Sequence, residues 1–463
     1  MLDCYTLDGA DQAIPLIPVT RHDLDAWLEG QPERVRHWVR DAGFTGKANS
    51  RLRLPGEDGR LQGVLLGVHE HGDAWAFGGA AAKLPVGSYR IDASWDDARL
   101  QRAAIAWGLG AYRYTRYKDS SREQARLVLS DAASVEAAEA VVASAWLVRD
   151  LINTPAEDMM PQDLAAAARD LAAAFGGEFH ELVGEELLVE NYPALHAVGR
   201  ASVHVPRLID LRWGTASHPR LTLVGKGVCF DSGGLDIKPA AGMRQMKKDM
   251  GGAAHVLGLA RLIMARGLPV RLRVLIGAAE NAIAGNAFRP GDVLRTRKGL
   301  TVEVDNTDAE GRLAICDALA ESAADDPALV IDFATLTGAA RVALGTEVAA
   351  FFTNSDEVAA GLMQASELED DPIWRLPLHK PYRAELDSDI ADLVNCASGP
   401  FGGAITAALF LQRFVARHTD WVHFDLMAWN LRARPGRPKG GEAMGLYAVY
   451  RYLEERFGKQ EEA

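Results

Sequence analysis

Two carboxylates spaced two residues apart, with an arginine two residues beyond, make Asn306-Thr307-Asp308-Ala309-Glu310-Gly311-Arg312-Leu313 the stretch best equipped for chemistry. Gly311 permits a tight backbone, and an apolar run at helical spacing (Leu313, Ala314, Ile315, Ala318, Leu319) follows at once. Acidic groups also suit the positive N-terminal end of a helix, so capping explains the pair as readily as catalysis does. Three other clusters bear on the choice. Lys226, Asp231 and Lys238 lie among glycines in the segment Lys226 to Pro239. That segment contains no Gly-x-x-x-x-Gly-Lys-Ser/Thr pattern and is therefore not a phosphate loop. Met246-Lys247-Lys248-Asp249-Met250-Gly251-Gly252 puts an aspartate at the head of a glycine-led helix, where N-capping is again the plain reading. Thr335-Leu336-Thr337-Gly338-Ala339 follows an apolar strand.

Asp231, Asp249, Asp308 and Glu310 cannot all ionise in one cleft without cations, because like charges raise one another's pKa. Two divalent ions supply about four positive charges, and carboxylates bridge metal pairs roughly 3.5–4 Å apart. An oxygen-rich donor set suits manganese, magnesium or zinc. Lys226, Lys238 and Arg312 remain as basic groups near the same cleft. The residues thus point to a two-metal hydrolase and leave peptide and phosphate ester both open as substrates.

The elements that must carry these clusters form an alternating pattern from about residue 205. Leu208 to Trp213, Leu221 to Gly225, Arg271 to Ala279, Thr301 to Val304, Leu329 to Ala334 and Trp421 to Asp425 read as strands. Gly251 to Ala265, the run after Gly311, and Ile405 to Ala416 read as helices. Such alternation implies an α/β fold with a mostly parallel sheet flanked by helices, whose ligands bind beyond the carboxyl ends of the strands. Further upstream, Ser134 to Ile152 predicts a long helix joining two domains, ended by Asn153-Thr154-Pro155. A helix from Pro161 through Ala173 follows it. Residues 1 to about 130 read as a small α/β unit, with strands at Gly63 to Val68, Ala74 to Phe77 and Ala125 to Leu129 and a helix at Leu100 to Gly110. His69 and His71 read as part of an exposed turn rather than a metal site.

Composition narrows the setting. The 463 residues exceed one ordinary core, are 48% hydrophobic and 24% charged, and carry a formal net charge of −13. That acidic balance argues against general affinity for nucleic acid or anionic membranes. No apolar run reaches membrane-spanning length, and the start lacks the basic region and apolar core of a signal peptide. Cys4, Cys229, Cys316 and Cys396 are scattered, which suits reduced thiols and fits neither a zinc knuckle nor a disulfide frame. A soluble, cytoplasmic protein is the expectation.

The chain resembles the leucyl aminopeptidase family, the cytosol aminopeptidases. The resemblance is carried by Val224-Gly225-Lys226-Gly227, Phe230-Asp231-Ser232-Gly233-Gly234, Ile237-Lys238-Pro239, Met246 to Met250 and Asn306 to Leu313. Asn153-Thr154-Pro155-Ala156, Arg289-Pro290-Gly291-Asp292, Ala334 to Ala339 and Phe401-Gly402-Gly403-Ala404 add to it. It is strong over about residues 150 to 430 and weak before them. It implies a small N-terminal α/β (macro-like) domain over 1–130, a linker helix over 131–153 and a larger catalytic domain over 154–463. Residue by residue, it implies that Lys226, Asp231, Asp249 and Glu310 hold one divalent ion, and Asp231, Asp308 and Glu310 the other, with manganese or zinc as the metals. A water bridged by the metals would attack the scissile carbonyl. Lys238 would stabilise the oxyanion, and Arg312 would hold a bicarbonate that acts as general base. Met246, Thr335, Leu336 and Gly338 would bind the substrate. The substrates would be peptides with leucine or other, mainly apolar, first residues, and the assembly a homohexamer. Some relatives also bind DNA, which the acidic balance here disfavours. The family's Asp-Ile-Ala-Gly reads Asp425-Leu426-Met427-Ala428 here, so Met427 is expected to narrow the pocket for the first residue. The segment Arg434 to Gly441 is also atypical, and the resemblance assigns it no role.

Overall fold

Two sheets organise the chain, one in each of two compact units. The computed structural model describes residues 1–69, 74–118 and 123–458. Most of the turn containing His69 and His71 lies outside them, His71 included. One unit comprises Met1–Trp146 together with Leu431–Lys439; the other comprises Leu147–Asn430 and Gly440–Ala463. The helix Ala132–Asn153 carries the chain across the division and stops one residue before Thr154-Pro155. The atypical stretch after Arg434 thus belongs for the most part to the first unit, although the second unit surrounds it in sequence.

The first unit holds a sheet of six strands: Tyr5–Thr6, Ala125–Val128, Gly87–Ile91, Ile14–Val19, Leu61–Gly67 and Arg51–Pro55 in spatial order. All neighbours are parallel except the edge strand Arg51–Pro55. The expected strand over Ala74 to Phe77 is instead the start of the helix Trp75–Ala81. Four residues are too few for periodicity to separate the two structures, and tertiary packing decides the matter. A Cβ on Gly110 would stand 2.0 Å from the Gly78 carbonyl oxygen, so the helix Asp97–Ala111 meets Trp75–Ala81 at glycines. The helices Asp23–Glu29 and Glu33–Asp41 complete a segment whose pattern gave no expectation.

In the second unit eight strands run in the order Ile373–Arg375, Ala349–Thr353, Asp420–Asp425, Leu329–Ala334, Arg220–Asp231, Arg271–Asn281, Arg207–Trp213, Glu178–Val183. The four from Asp420–Asp425 to Arg271–Asn281 are mutually parallel, and antiparallel pairs flank them. Buried on both faces, these strands are nearly continuous apolar runs, as a covered parallel sheet requires. The helix Gly251–Ala265 has almost every side chain buried, and Gly311–Ser322 and Gly403–Gln412 are likewise largely covered. Leu313, Ile315, Leu319, Phe410 and Trp421 belong to one apolar cluster with the sheet. Parallel order brings Asp231, Asn281, Thr335 and Asp425 to the same, carboxyl-terminal edge, because Asn281 pairs with Asp231 and Ala334 with Asp425.

Candidate active site

At that edge the sequence clusters converge. Lys226 and Asp231 belong to the strand Arg220–Asp231, Asp249 to the 3-10 turn Met246–Met250, and Glu310 stands at the cap of the helix Gly311–Ser322. Asp231, Asp308 and Glu310 each offer a carboxylate oxygen within 4.8 Å of the others. Lys226 Nζ lies 2.5 Å from Asp249 Oδ2 and 2.9 Å from Glu310 Oε1. Lys238 Nζ is 2.8 Å from Asp231 Oδ2 and also contacts Asp308 Oδ1.

Neither aspartate nor glutamate spends itself on capping. Met250, not Asp249, occupies the N-cap of Gly251–Ala265, and no side chain caps that helix. Glu310 occupies the N-cap of its helix, yet its carboxylate accepts no backbone N–H. Both Glu310 oxygens are buried without a hydrogen-bond donor; Oε1 has only the ion contact with Lys226. Burial, followed by repulsion from Asp231, pushes the Glu310 carboxyl up to about 8 despite Lys226. Burial and Asp231 likewise raise Asp308 against the pull of Lys238. Burial opposes ionisation of Asp249, but Lys226, Lys248 and Thr335 outweigh it and keep its pKa below the ordinary carboxylate value. Burial works against the Lys226 and Lys238 ammonium groups too, and the surrounding carboxylates more than compensate, raising both.

Close backbone approach makes room for this cluster. A Cβ on Gly311 would sit 2.5 Å from Lys226 Cε, so the lysine passes directly over the first turn of the helix. One on Gly252 would meet the Phe333 carbonyl oxygen at 2.0 Å, which fixes the helix bearing it tightly against the sheet.

Several residues that the sequence reading did not single out hold the parts in register. Asn281 Nδ2 donates to Asp231 Oδ1 (2.9 Å) and to the Thr307 carbonyl (3.1 Å). Asp236 Oδ2 accepts the Thr307 N–H at 2.7 Å, tying the loop after Asp231 to the loop before Glu310. Asn395 accepts the N–H groups of Asp305 and Asn306 and donates to the Asn306 carbonyl at 2.7 Å. Asp425 accepts from the N–H groups of Leu336 and Thr337 and, at 2.6 Å, from the Thr337 hydroxyl. Apart from membership of the altered Asp425-Leu426-Met427-Ala428 motif, their only sequence signal is a polar residue at the end of an apolar strand or in a loop.

The cytosol aminopeptidase family catalytic-domain model matches residues 146–450, and the M17 aminopeptidase N-terminal domain model matches residues 14–130. The chain belongs to the cytosol aminopeptidase family. It is a metal-dependent aminopeptidase, a hydrolase acting on peptides. A cytosol aminopeptidase structure from Coxiella burnetii is 50% identical, with a TM-score of 0.95 over 98% of this chain and all (100%) of that one. Peptidase B of Cronobacter sakazakii is 48% identical over 290 residues, which is 61% of this chain and 68% of that protein. The bottromycin maturation enzyme BotP, solved in complex with Mn, is 34% identical with a TM-score of 0.86, covering 96% of this chain and 99% of that one.

The aminopeptidase's donor set fits divalent cations on its own geometry. A buried carboxylate that accepts no hydrogen bond, two more within 4.8 Å, and raised pKa values on Glu310 and Asp308 describe negative charge that Lys226 and Lys238 do not fully offset. Beside it, Arg312 is buried with its Nε unpartnered, while Nη1 donates to the Asn395 carbonyl at 2.5 Å. A cavity of about 220 Å³ adjoins it, lined by Asp308, Leu336, Gly338 and Cys396 among others. Arg312 is itself among the residues that line this cavity. Met246 is buried in the same turn as Asp249. Thr335 Oγ1 donates to Asp249 Oδ1 at 2.7 Å and its carbonyl accepts from Lys226 Nζ at 3.3 Å, so Thr335 braces the cluster from the sheet side. Met427 is buried with Sδ 3.4 Å from Arg341 Nη1. All four cysteines are free thiols, and burial raises those of Cys229 and Cys316. No helix among the described residues is long and apolar enough to cross a membrane.

Proposed function

We propose that the enzyme uses two divalent ions, manganese or zinc, one held by Lys226, Asp231, Asp249 and Glu310 and the other by Asp231, Asp308 and Glu310. The observation that carries this reading is Glu310: a fully buried helix-cap carboxylate that accepts no hydrogen bond and faces Asp231 and Asp308. When bound, the ions supply Lewis acidity toward the scissile carbonyl and lower the pKa of a water, and bicarbonate supplies a general base. As a ligand Lys226 would have to be the neutral amine, so its proton would be given up when the ions are bound. Lys238 donates to the oxyanion that develops on the carbonyl. Arg312 Nε holds the bicarbonate, with Nη1 anchored on the Asn395 carbonyl. Asp249, held by Thr335, lies toward the free amine of the substrate, which restricts cleavage to the first residue. Asp425 takes the Leu336 N–H, leaving the Leu336 carbonyl and Gly338 to align the substrate main chain. Met246, Thr335 and Met427 form the wall against which leucine and other apolar first residues pack. A cytoplasmic homohexamer completes the reading. The relatives that are cytosol aminopeptidases support the compartment, and the family resemblance supports the assembly.

The test is Glu310→Ala, with metal content measured by mass spectrometry and turnover measured on leucine p-nitroanilide. Loss of both with the circular dichroism unchanged is expected, and full turnover by the variant overturns the ligand assignment. Faster hydrolysis of nitrophenyl phosphate than of the anilide by the wild type would point away from a peptide substrate.

A further inference from the structure

The edge of the large sheet opposite the candidate metal ligands carries arginines. Arg220 and Arg271 open the strands Arg220–Asp231 and Arg271–Asn281, so they stand a full strand, on the order of 30 Å, from Asp231. Register sets Arg271 beside Arg220, and Arg273 beside both Thr222 and Arg212. Side chains two residues apart share a face, so four guanidinium groups gather on one face of three neighbouring strands. Like charges at directly paired positions are destabilising.

The chain neutralises only part of this group. Arg273 spends all three nitrogens: Nε and Nη2 on Asp210, Nη2 also on Glu321 at 3.0 Å, and Nη1 on Asp325 at 2.7 Å. Arg212 uses Nε and Nη2 on the same Asp210 and keeps Nη1. Arg220 donates Nη1 to the Asp325 carbonyl at 2.7 Å and keeps Nε and Nη2. Among the described residues the Arg271 side chain has no hydrogen-bond or ion partner. Glu178 is the register partner of Arg212, yet it makes no ion pair with these arginines. The free donors line a cavity of about 280 Å³, bounded by all four arginines and by Thr222. Thr222 is 1% exposed, and no group among the described residues hydrogen-bonds to its hydroxyl. A buried hydroxyl and three guanidinium groups with donors to spare thus meet at one cavity.

We propose that this cavity binds the phosphate group of a small molecule, either inorganic phosphate or a nucleoside monophosphate. Arg220 and Arg271 hold the anion from the strand ends, Arg212 adds Nη1 from the next strand, and the Thr222 hydroxyl supplies a further donor at the cavity wall. Guanidinium forks match phosphate oxygens, and the anion's charge removes the repulsion among the arginines. The ligand is small, because the cavity is limited and the formal net charge of −13 opposes an extended polyanion.

The experiment titrates inorganic phosphate, and separately AMP, into the manganese-loaded full-length enzyme by calorimetry, in wild type, Arg271→Gln, Arg220→Gln and Arg271→Glu. Each glutamine variant loses a charge-assisted contact and is expected to weaken one binding event by about ten- to a hundredfold. Arg271→Glu is expected to abolish that event. Turnover of leucine p-nitroanilide without phosphate should be unchanged in all three, since these residues stand at the far edge of the sheet. Phosphate taken up by the metals is the same in every variant, which separates the two sites. Crystals of the wild type grown in phosphate give a readout that needs no variant, with density on Arg212, Arg220 and Arg271 as the expected result. Either source supports the site: tighter binding of AMP than of phosphate identifies a nucleotide, and equal or weaker binding identifies the free anion. Equal phosphate affinity in wild type and all variants, or crystals with phosphate at the metals only, overturns the inference and leaves the peptidase reading intact.

Discussion

Glu310→Gln should make the metal-free enzyme more stable while abolishing its response to metal. In the folded chain the Glu310 carboxyl ionises near 8, raised from 4.5 first by burial and then by Asp231. The unfolded carboxyl ionises near 4.5, so unfolding releases a proton between those two values and stability falls as pH rises across that window. At pH 7, which lies 2.5 pH units above 4.5, this corresponds to about 3.5 kcal/mol, at about 1.4 kcal/mol per pH unit. Glutamine keeps the shape and never ionises, so the variant lacks this penalty. In chelator-treated protein, thermal unfolding at pH 7.5 should give the variant a Tm higher by roughly 5 °C. At pH 4.5 the difference should vanish. Added manganese should reverse the order, since a ligand present at about a hundred times its Kd contributes about 2.7 kcal/mol and only the wild type binds it tightly. A metal-free variant less stable than wild type at pH 7.5, or an advantage independent of pH, would refute the account of Glu310 as a carboxylate held against its own electrostatics for the sake of a cation.

Other consequences follow from individual contacts. His255 is fully buried, with Nδ1 2.6 Å from the Gly251 carbonyl and Nε2 accepting the Met444 N–H at 2.9 Å, and burial lowers its pKa to about 4. Unfolding therefore takes up a proton between about 4 and 6.5, and the wild type should lose on the order of 3 kcal/mol of stability as pH falls through that range. The loss should be visible as a difference in urea midpoints that His255→Gln removes. Met427→Ala should widen the first-residue pocket, raising the phenylalanyl-to-alanyl kcat/KM ratio about tenfold in anilide assays; an unchanged ratio would place Met427 outside the pocket. Gly252→Ala puts a methyl 2.0 Å from the Phe333 carbonyl oxygen and 2.8 Å from the Lys226 backbone nitrogen. It should cost at least about 2 kcal/mol in denaturant unfolding and lower metal affinity in calorimetry. Arg149→Leu leaves Glu442 buried without its 3.0 Å ion partner and should destabilise the chain by about 3–5 kcal/mol, measured the same way.

Much of the second unit was legible in the sequence because its signals are local. The helix Gly251–Ala265 begins and ends where its glycines and apolar spacing place it, and the strands that read as unbroken apolar runs are those buried on both faces. Loop motifs keep their chemistry within a few residues, so Asp308, Glu310 and Arg312 could be chosen without knowing where they point. The first unit was less legible. Its strands are short, and Ala74 to Phe77 reads as a strand until Gly78 meets Gly110 and the segment folds as the helix Trp75–Ala81.

The sequence by itself determined which groups carry charge, which segments alternate, and which polar residues stand at the ends of apolar strands. It left Asp249 and Glu310 as readily helix caps as ligands, because a capping carboxylate and a coordinating one occupy the same position in the chain. Tertiary structure decided against the cap. Parallel strands bring four distant loops to one edge, and Thr335, Asn281, Asn395 and Asp425 satisfy the loops' own hydrogen bonds. The Glu310 oxygens are thereby left with no backbone to cap.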